Sequence, residues 1–292
     1  MPIWKNYHLA KSPLDALAAL DSSPGSARLV AGGTDLLLEL QQGLKPPVET
    51  LVDVSGIPEM SILEVREGKL FIGAAVPLNK IVASPLVKNH AQALFEAAAL
   101  IGGPQVRNTA TLGGNVGHAL PAADGTISLM AIGAQTLVAS RSGDRLLPMG
   151  ALFSGPGKST LEPAKEMILG FYLPLKKPGQ GSAFRRVMRP QGVAIAILNM
   201  GVWVQRAGDL IEELRVSIGP AGPVPFRARA AEALLHGKAP ENETLASAIK
   251  AIHEEVRYRT SPHRATFEYR HQVTDAIFME TFGAAWKRAE NY

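Results

Sequence analysis

The sequence Leu29-Val30-Ala31-Gly32-Gly33-Thr34-Asp35-Leu36 joins a short apolar run, two consecutive glycines and the start of a second apolar segment. This pattern predicts a strand, a tight turn and a helix over 34–42 that Gly43 closes. Such a turn leaves backbone N–H groups unpaired at the start of a helix, where a phosphate group can bind, and a Cβ atom would block the approach. Taken alone, the pattern more often marks an ordinary strand-to-helix turn capped by Thr34.

A second glycine turn follows farther along the chain, in the sequence Ala110-Thr111-Leu112-Gly113-Gly114-Asn115. We expect Gly113 and Gly114 to offer backbone donors, and Asn115 to bridge a ligand and a neighbouring loop. Asp124, in Pro121-Ala122-Ala123-Asp124, could accept a hydrogen bond from a ribose hydroxyl. The alternative is a glycine turn followed by a capping aspartate. The two turns together indicate a ligand-binding site more specifically than either turn does alone.

The composition excludes several classes of protein. A chain of 292 residues with 46% hydrophobic and 19% charged residues can bury a large core in two or three domains. A net charge of +4 and 6% aromatic residues do not indicate nucleic-acid binding, since the densest basic group is only Arg185, Arg186 and Arg189. The absence of cysteine excludes disulfides and cysteine-ligated clusters from this chain.

The same sequence predicts neither secretion nor membrane insertion. Its first residues lack the apolar core of a signal peptide, and the longest apolar stretch, 193–204, is too short to span a bilayer. We therefore expect a cytoplasmic protein.

Hydrophobic patterns and turn residues divide the chain into three segments. The first is a small α/β unit with a helix that Ser12 caps and Pro13 begins. The second begins near Ile57 and mixes strands with helices. A polar, breaker-rich stretch at 176–181 marks a boundary. Beyond it we predict strands at 182–188, 193–205 and 211–218, then helices at 227–235, at 245–257 and from Ala265 onward.

In order along the chain, several stretches resemble the FAD-binding subunit of the molybdenum hydroxylases, the family of carbon monoxide dehydrogenase medium subunits and the xanthine dehydrogenase flavin domain. The matching stretches are Ala31–Leu36, Arg107–Asn115, Met167–Gly170, Ser182–Arg185 and Ser217–Pro220 through Arg227–Arg229. The resemblance implies an α+β fold in which a PCMH-type FAD-binding domain, residues 1–175, has subdomains at about 1–55 and 56–175. It also implies a C-terminal domain at 182–292 with a three-stranded antiparallel sheet and helices.

The resemblance also implies the residues of the cofactor site. Those that would bind the FAD pyrophosphate from the first turn are Leu29, Val30, Ala31, Gly32, Gly33, Thr34, Asp35 and Leu36. Those that would bind it from the second turn are Thr111, Gly113, Gly114 and Asn115. Ala123 and Asp124 match the adenosine side, Ile168 an apolar contact to the flavin, and Arg185 a basic residue near its ring. Leu120 stands where the family often has a small polar residue, so we do not expect that position to supply a side-chain hydrogen bond to the cofactor.

The function that the resemblance implies is electron relay. FAD would be held non-covalently and would pass electrons from the 2Fe–2S clusters of a small partner subunit to an external acceptor. The molybdenum cofactor would lie on a large partner subunit, and the resemblance implies that the assembly is a dimer of heterotrimers. This chain would then contain no catalytic side chain and no metal ligand. A self-sufficient flavin oxidase and a flavin-free assembly subunit are the alternatives.

Three further features are interpreted as incidental. Gly157-Lys158-Ser159 resembles the end of a P-loop, but Leu152 occupies the position of the required glycine. His118 is expected to lie beside the cofactor without a covalent bond to it. His253 and His263 are expected to be surface histidines, because no second ligand stands at metal spacing.

Overall fold

The computed structural model describes residues 2–23, 26–189, 195–262 and 264–290. His263 and the first two residues of the strand predicted at 193–205 lie outside these ranges.

The first segment is a three-stranded parallel sheet with two helices. Its elements are β1 (Trp4–Leu9), α1 (Pro13–Ser22), β2 (Ala27–Val30), α2 (Leu36–Gln41) and β3 (Val48–Asp53), and the strand order is β1-β3-β2. The predicted cap of α1 is confirmed, since the Ser12 hydroxyl accepts a hydrogen bond from the Asp15 amide at 3.1 Å. Strand β1 was not predicted, because its mostly polar sequence becomes a strand only through its pairing with β3.

The second segment is built on a five-stranded antiparallel sheet of order β4-β5-β10-β6-β7. Its strands are β4 (Leu63–Arg66), β5 (Lys69–Gly73), β6 (Gln135–Ser140), β7 (Arg145–Pro148) and β10 (Glu166–Pro174), with a separate hairpin of β8 (Phe153–Gly155) and β9 (Lys158–Ser159). Its helices are α3 (Leu78–Ala83), α4 (Pro85–His90), α5 (Gln92–Leu100), α6 (Pro104–Arg107), α7 (Leu112–Gly117) and α8 (Asp124–Ile132). The second glycine turn therefore begins a short helix, α7.

The last segment is an antiparallel sheet followed by helices. Its elements are β11 (Gln180–Val187), β12 (Leu198–Ala207), β13 (Leu210–Gly219), β14 (Phe226–Arg227), α9 (Arg229–Leu235), α10 (Asn242–Glu255) and α11 (Phe267–Glu290). The three predicted strands are present, but residues 195–197 of the second lie before the start of β12, and a two-residue strand, β14, is added at the edge beside β13. Residues 226–227 were not predicted to be a strand because two residues carry no periodic signal.

The C-terminal sheet packs against helices on both of its faces. Alternation along β11 places Phe184 in the core that contains α5 and α8, while Ala183 lies in the core that contains α11. Small residues permit the contacts, since an added Cβ at Gly181 would come within 2.0 Å of the Ala285 carbonyl oxygen. Helix α8 therefore lies between the two sheets, with all nine of its residues buried. Among the described helices, none is long and apolar enough to cross a bilayer.

Candidate functional site

The two glycine turns meet, backbone against backbone. A Cβ atom added to Gly32 would come within 2.1 Å of the Thr109 carbonyl oxygen and within 2.9 Å of the Ala110 Cα atom. Gly33 has φ +67°, a left-handed conformation that glycine adopts without strain. The structure thus brings together two motifs separated by about 80 residues of sequence, as their pairing predicted.

The first turn presents backbone donors. Within the described part of the chain, the backbone N–H groups of Gly32, Gly33, Thr34 and Asp35 have no hydrogen-bond acceptor. Helix α2 begins after Asp35, whose side chain makes no capping hydrogen bond. Thr34 therefore does not cap α2, so that part of the alternative is wrong, and these N–H groups are available to an anion.

Gly113 and Gly114 of the second turn do not present free backbone donors, and this part of the prediction is wrong. The Gly113 amide donates to the Ala74 carbonyl at 2.8 Å, and the Gly114 amide donates to the Thr111 hydroxyl, which caps α7, at 3.0 Å. Gly113 is needed for close packing, because its added Cβ would lie 2.5 Å from the Ala74 Cβ. The turn forms a wall of the site, whereas the first turn supplies its donors.

Asn115 and Asp124 link the second turn to the rest of the molecule. The Asn115 Oδ1 atom accepts a hydrogen bond from the Gly125 amide at 3.0 Å, so its predicted bridge to a neighbouring loop is confirmed. Asp124 is buried, and Arg186 and Asn199 donate to its two carboxylate oxygens at 2.5 and 2.6 Å. Contact of Asp124 with a ribose hydroxyl stays a prediction, and what the structure shows is an ion pair between the two domains.

The two arginines of β11 point to opposite faces. Arg185 is partly exposed and pairs with Glu280 of α11 at 2.8 Å and with Glu96 of α5 at 3.2 Å. Arg186 is buried, and besides its ion pair with Asp124 it donates to the Leu100 carbonyl oxygen at 2.6 Å. The charge of Arg185 is therefore already balanced by two carboxylates, and its place near a flavin ring stays a prediction.

The other predicted site residues lie around the same turns. Ala123 precedes α8, and its backbone amide donates a hydrogen bond to the Leu120 carbonyl oxygen at 3.1 Å. Ile168 lies at a bulge of β10, where it packs against the cores of the first and second segments. The next residue, Leu169, accepts a hydrogen bond from the Ala74 amide at 2.9 Å, which places the bulge beside the wall that Gly113 packs against.

A hydrogen bond that the sequence did not reveal joins the helices that follow the two turns. Glu39 of α2 bonds the Nε2 atom of His118, the residue that ends α7, at 3.1 Å, and pairs with Lys45 at 2.6 Å. Burial raises the pKa of Glu39, but the hydrogen bonds from Lys45 and His118 outweigh burial and lower this pKa below its ordinary value. We name the Glu39–His118 contact the latch.

Replacing Glu39 with glutamine should weaken retention of any ligand held between the turns by roughly two- to tenfold, the effect of about 1 kcal/mol from one partly buried hydrogen bond. Because the pKa of Glu39 is lowered in the folded protein, the latch contributes fully when the pH is above the ordinary pKa of glutamate. Its contribution is lost as the pH falls through the folded-state pKa of Glu39. The difference between Glu39→Gln and the wild type, measured as a dissociation constant, should therefore be present at pH 7 and vanish in acid. An equal difference at both pH values would contradict the latch.

The residues missed by sequence interpretation share one property, which is that their roles depend on distant partners. These residues are Glu39, Glu96, Arg186 and Asn199. Only Arg186 had a usable signal, because alternation along the strand places it on the face opposite to Arg185. Asn199 is fully buried and had no local signal at all.

Except for His118, the features interpreted as incidental are distinct from the turns. Gly157-Lys158-Ser159 lies in the β8–β9 hairpin, which lacks the strand-to-helix context of a P-loop. His253 is partly buried, not fully exposed, and contacts His271 at 2.7 Å and Asp275 at 2.6 Å. Among the described residues, no group of three or more potential ligands could hold a metal ion.

Two family models match the chain. The model described as the FAD binding domain in molybdopterin dehydrogenase matches residues 4–176, and the CO dehydrogenase flavoprotein C-terminal domain matches residues 159–285. A xanthine dehydrogenase FAD-binding subunit of Escherichia coli O157:H7 is 29% identical over 96% of this chain and 97% of its own length. A carbon monoxide dehydrogenase medium chain of Hydrogenophaga pseudoflava is 28% identical over 97% of each chain.

The fold is also similar to that of a solved structure. A chain of the Hydrogenophaga pseudoflava carbon monoxide dehydrogenase that lacks the Mo-pyranopterin moiety of its molybdenum cofactor superposes with a TM-score of 0.93. The match has 29% sequence identity and covers 99% of both chains. The predicted α+β fold class, with its FAD-binding and C-terminal parts, is thereby confirmed.

Proposed function

The chain belongs to the family of FAD-binding subunits of molybdopterin dehydrogenases, as its sequence predicted, and we propose that it is the electron-transfer subunit of a molybdenum hydroxylase complex. One observation carries the proposal. The contact of Gly32 with the Thr109–Ala110 backbone places a turn with free N–H groups against a second wall made by α7. Free backbone N–H groups at the start of a helix are the donors that bind the pyrophosphate of a dinucleotide.

The residues present fit FAD. The N–H groups of residues 32–35 would bind the pyrophosphate within the longer turn 29–36, while Thr111, Gly113, Gly114 and Asn115 would shape the opposite wall. Ala123 and Asp124 would lie on the adenosine side, and Ile168 and Arg185 near the flavin ring. FAD, when bound, would accept and donate electrons, while the protein supplies binding and orientation.

In this proposal the chain's own side chains do no acid, base or nucleophilic chemistry. The turn residues bind the cofactor and exclude water, and the latch holds their two helices together. Asp124 serves mainly as a positioning residue, because its carboxylate is bonded to Arg186 and Asn199. Arg185, balanced by Glu96 and Glu280, would set the local charge near the ring.

The partners proposed are those that the family resemblance implies. The chain contains no cysteine, so 2Fe–2S clusters ligated by cysteine would belong to a small partner subunit, and the molybdenum cofactor to a large one. A dimer of heterotrimers in the cytoplasm is the proposed assembly. The proposed domain limits are 1–175 and 182–292, with the connection at 176–181.

The absorption spectrum of the purified chain tests the proposal, together with identification of any pigment released on denaturation. We expect stoichiometric FAD that is held without a covalent bond. A colourless protein that takes up no added FAD would favour a flavin-free assembly subunit. FAD-dependent substrate oxidation by a native preparation free of molybdenum and iron would instead favour a self-sufficient flavin oxidase.

A further inference from the structure

A cavity of about 320 Å³ lies away from the glycine turns, between the second segment and the C-terminal domain. It opens where the end of α4 and the start of α5 meet the start of β11 and the end of α11. The residues that line it are Lys88, Asn89, His90, Gln92, Lys176, Gln180, Gly181, Ser182, Trp203 and Arg288. Neither glycine turn contributes a residue to this lining.

The charged side chains that line the cavity are all basic, although one of them, Arg288, is also paired with Glu96. Three of its side chains, those of Lys88, Lys176 and Arg288, are basic and none is acidic. The Lys176 ammonium group lies 3.3 Å from the Arg288 carbonyl oxygen. Burial, and next the charge of Arg288, lower the pKa of Lys176 below its ordinary value. A bound anion would offset this repulsion and stabilise both cations.

Other polar groups of the lining can donate hydrogen bonds. The His90 Nδ1 atom accepts a hydrogen bond from the Lys176 amide at 3.2 Å, which leaves Nε2 as the ring atom that can donate to a ligand. Asn89 and Gln92 add side-chain amides. Cationic groups and amides together form the donor set that binds oxyanions in proteins.

We infer that this cavity is a binding site for a small molecule that carries a phosphate or carboxylate group. Its volume falls in the range of small-molecule sites, and its lining matches the charge of such a ligand. The inference is independent of FAD, because no proposed cofactor residue lines the cavity.

One carboxylate connects this site to the proposed flavin site. Glu96 bonds Arg288 at 2.5 Å and Arg185 at 3.2 Å. An anion at Arg288 would therefore compete with Glu96 for the same guanidinium group. Occupancy of the cavity would then alter the pairing of Arg185, the basic residue proposed to lie near the flavin ring.

Calorimetric titration of the full chain with inorganic phosphate, at constant ionic strength set with sodium chloride, tests the inference. We expect saturable binding that Lys88→Gln/Lys176→Gln weakens about tenfold or more, because charge-assisted hydrogen bonds are lost. The matched control is Lys80→Gln/Lys165→Gln, which removes the same charge from exposed residues outside the cavity. Citrate in a parallel titration determines whether carboxylates also bind.

Two outcomes would overturn the inference. One is the absence of saturable binding of both phosphate and citrate to the wild type. The other is an equal loss in the two double variants, which would mean a diffuse charge effect. Lys88→Arg retains the charge and should retain binding, and circular dichroism would establish that every variant is folded.

Discussion

Gly32→Ala should yield a folded protein that purifies with little or no FAD. The new methyl group would lie 2.1 Å from the Thr109 carbonyl oxygen, so the two glycine turns must move apart. Strain of this kind costs about 1–3 kcal/mol in a packed interior, equivalent to roughly 5- to 150-fold weaker binding of a ligand that both turns contact. The flavin-to-protein ratio from the absorption spectrum measures the effect.

Gly117→Ala is the matched control for this substitution. Gly117 belongs to α7, and its added Cβ would have no atom within 4 Å. Alanine in a helix is favoured over glycine by about 0.5–1 kcal/mol, so this variant should retain FAD and gain slightly in thermal stability. Loss of FAD from both variants would mean that the turns respond to any substitution, and the close-contact explanation would fail.

The complete complex separates cofactor loss from general damage. In a complex that contains Gly32→Ala, substrate should still reduce the 2Fe–2S clusters of the partner, whereas reduction of the external acceptor should stop. This follows from the proposed relay, in which this chain acts only after the clusters. If the clusters also failed to be reduced by substrate, the chain would have a role upstream of its proposed place.

The sequence predicted those parts of the site that are local. A strand, two glycines and a helix start indicate a turn with exposed N–H groups, and the first turn has this form. The second turn has a similar sequence, but its N–H groups bond to Ala74 and Thr111. Sequence alone could not distinguish the two cases, because the Ala74 carbonyl reaches Gly113 only through the tertiary fold.

The fold was predicted where periodicity or capping is strong. Strand β13 lies within one residue of its predicted limits, 211–218, and the start of α1 follows its serine and proline. Strand β1 and strand β14 were missed, since each is stabilised by a partner strand and not by its own pattern. The long-range ion pairs were missed for the same physical reason.

Arg186→Met should cause the largest loss of stability among the charged residues discussed above. The substitution would leave the Asp124 carboxylate buried with Asn199 as its one remaining side-chain donor among the described residues. Breaking a buried ion pair in this way costs about 3–5 kcal/mol. Chemical denaturation at pH 8 measures the change in the free energy of unfolding.

The pH dependence of this loss identifies its cause. Burial raises the pKa of Asp124, and in Arg186→Met the attraction that offsets burial would be gone. A raised folded-state pKa means that stability is greatest below the unfolded pKa and is lost as pH rises through the folded pKa. The deficit of Arg186→Met relative to wild type should therefore be smaller near pH 4 than at pH 8.

Two further variants complete the argument for a link between the domains. Arg185→Met, on the adjacent residue, should cost only about 1 kcal/mol or less, because its partners are partly exposed or bonded to other groups. Asp124→Asn/Arg186→Met removes both charges and should be more stable than Arg186→Met alone. If the double variant were no more stable, lost packing and not the uncompensated carboxylate would explain the effect. Recovery of stability would instead mean that an ion pair from the C-terminal sheet holds α8, the helix that begins at the adenosine side of the proposed site.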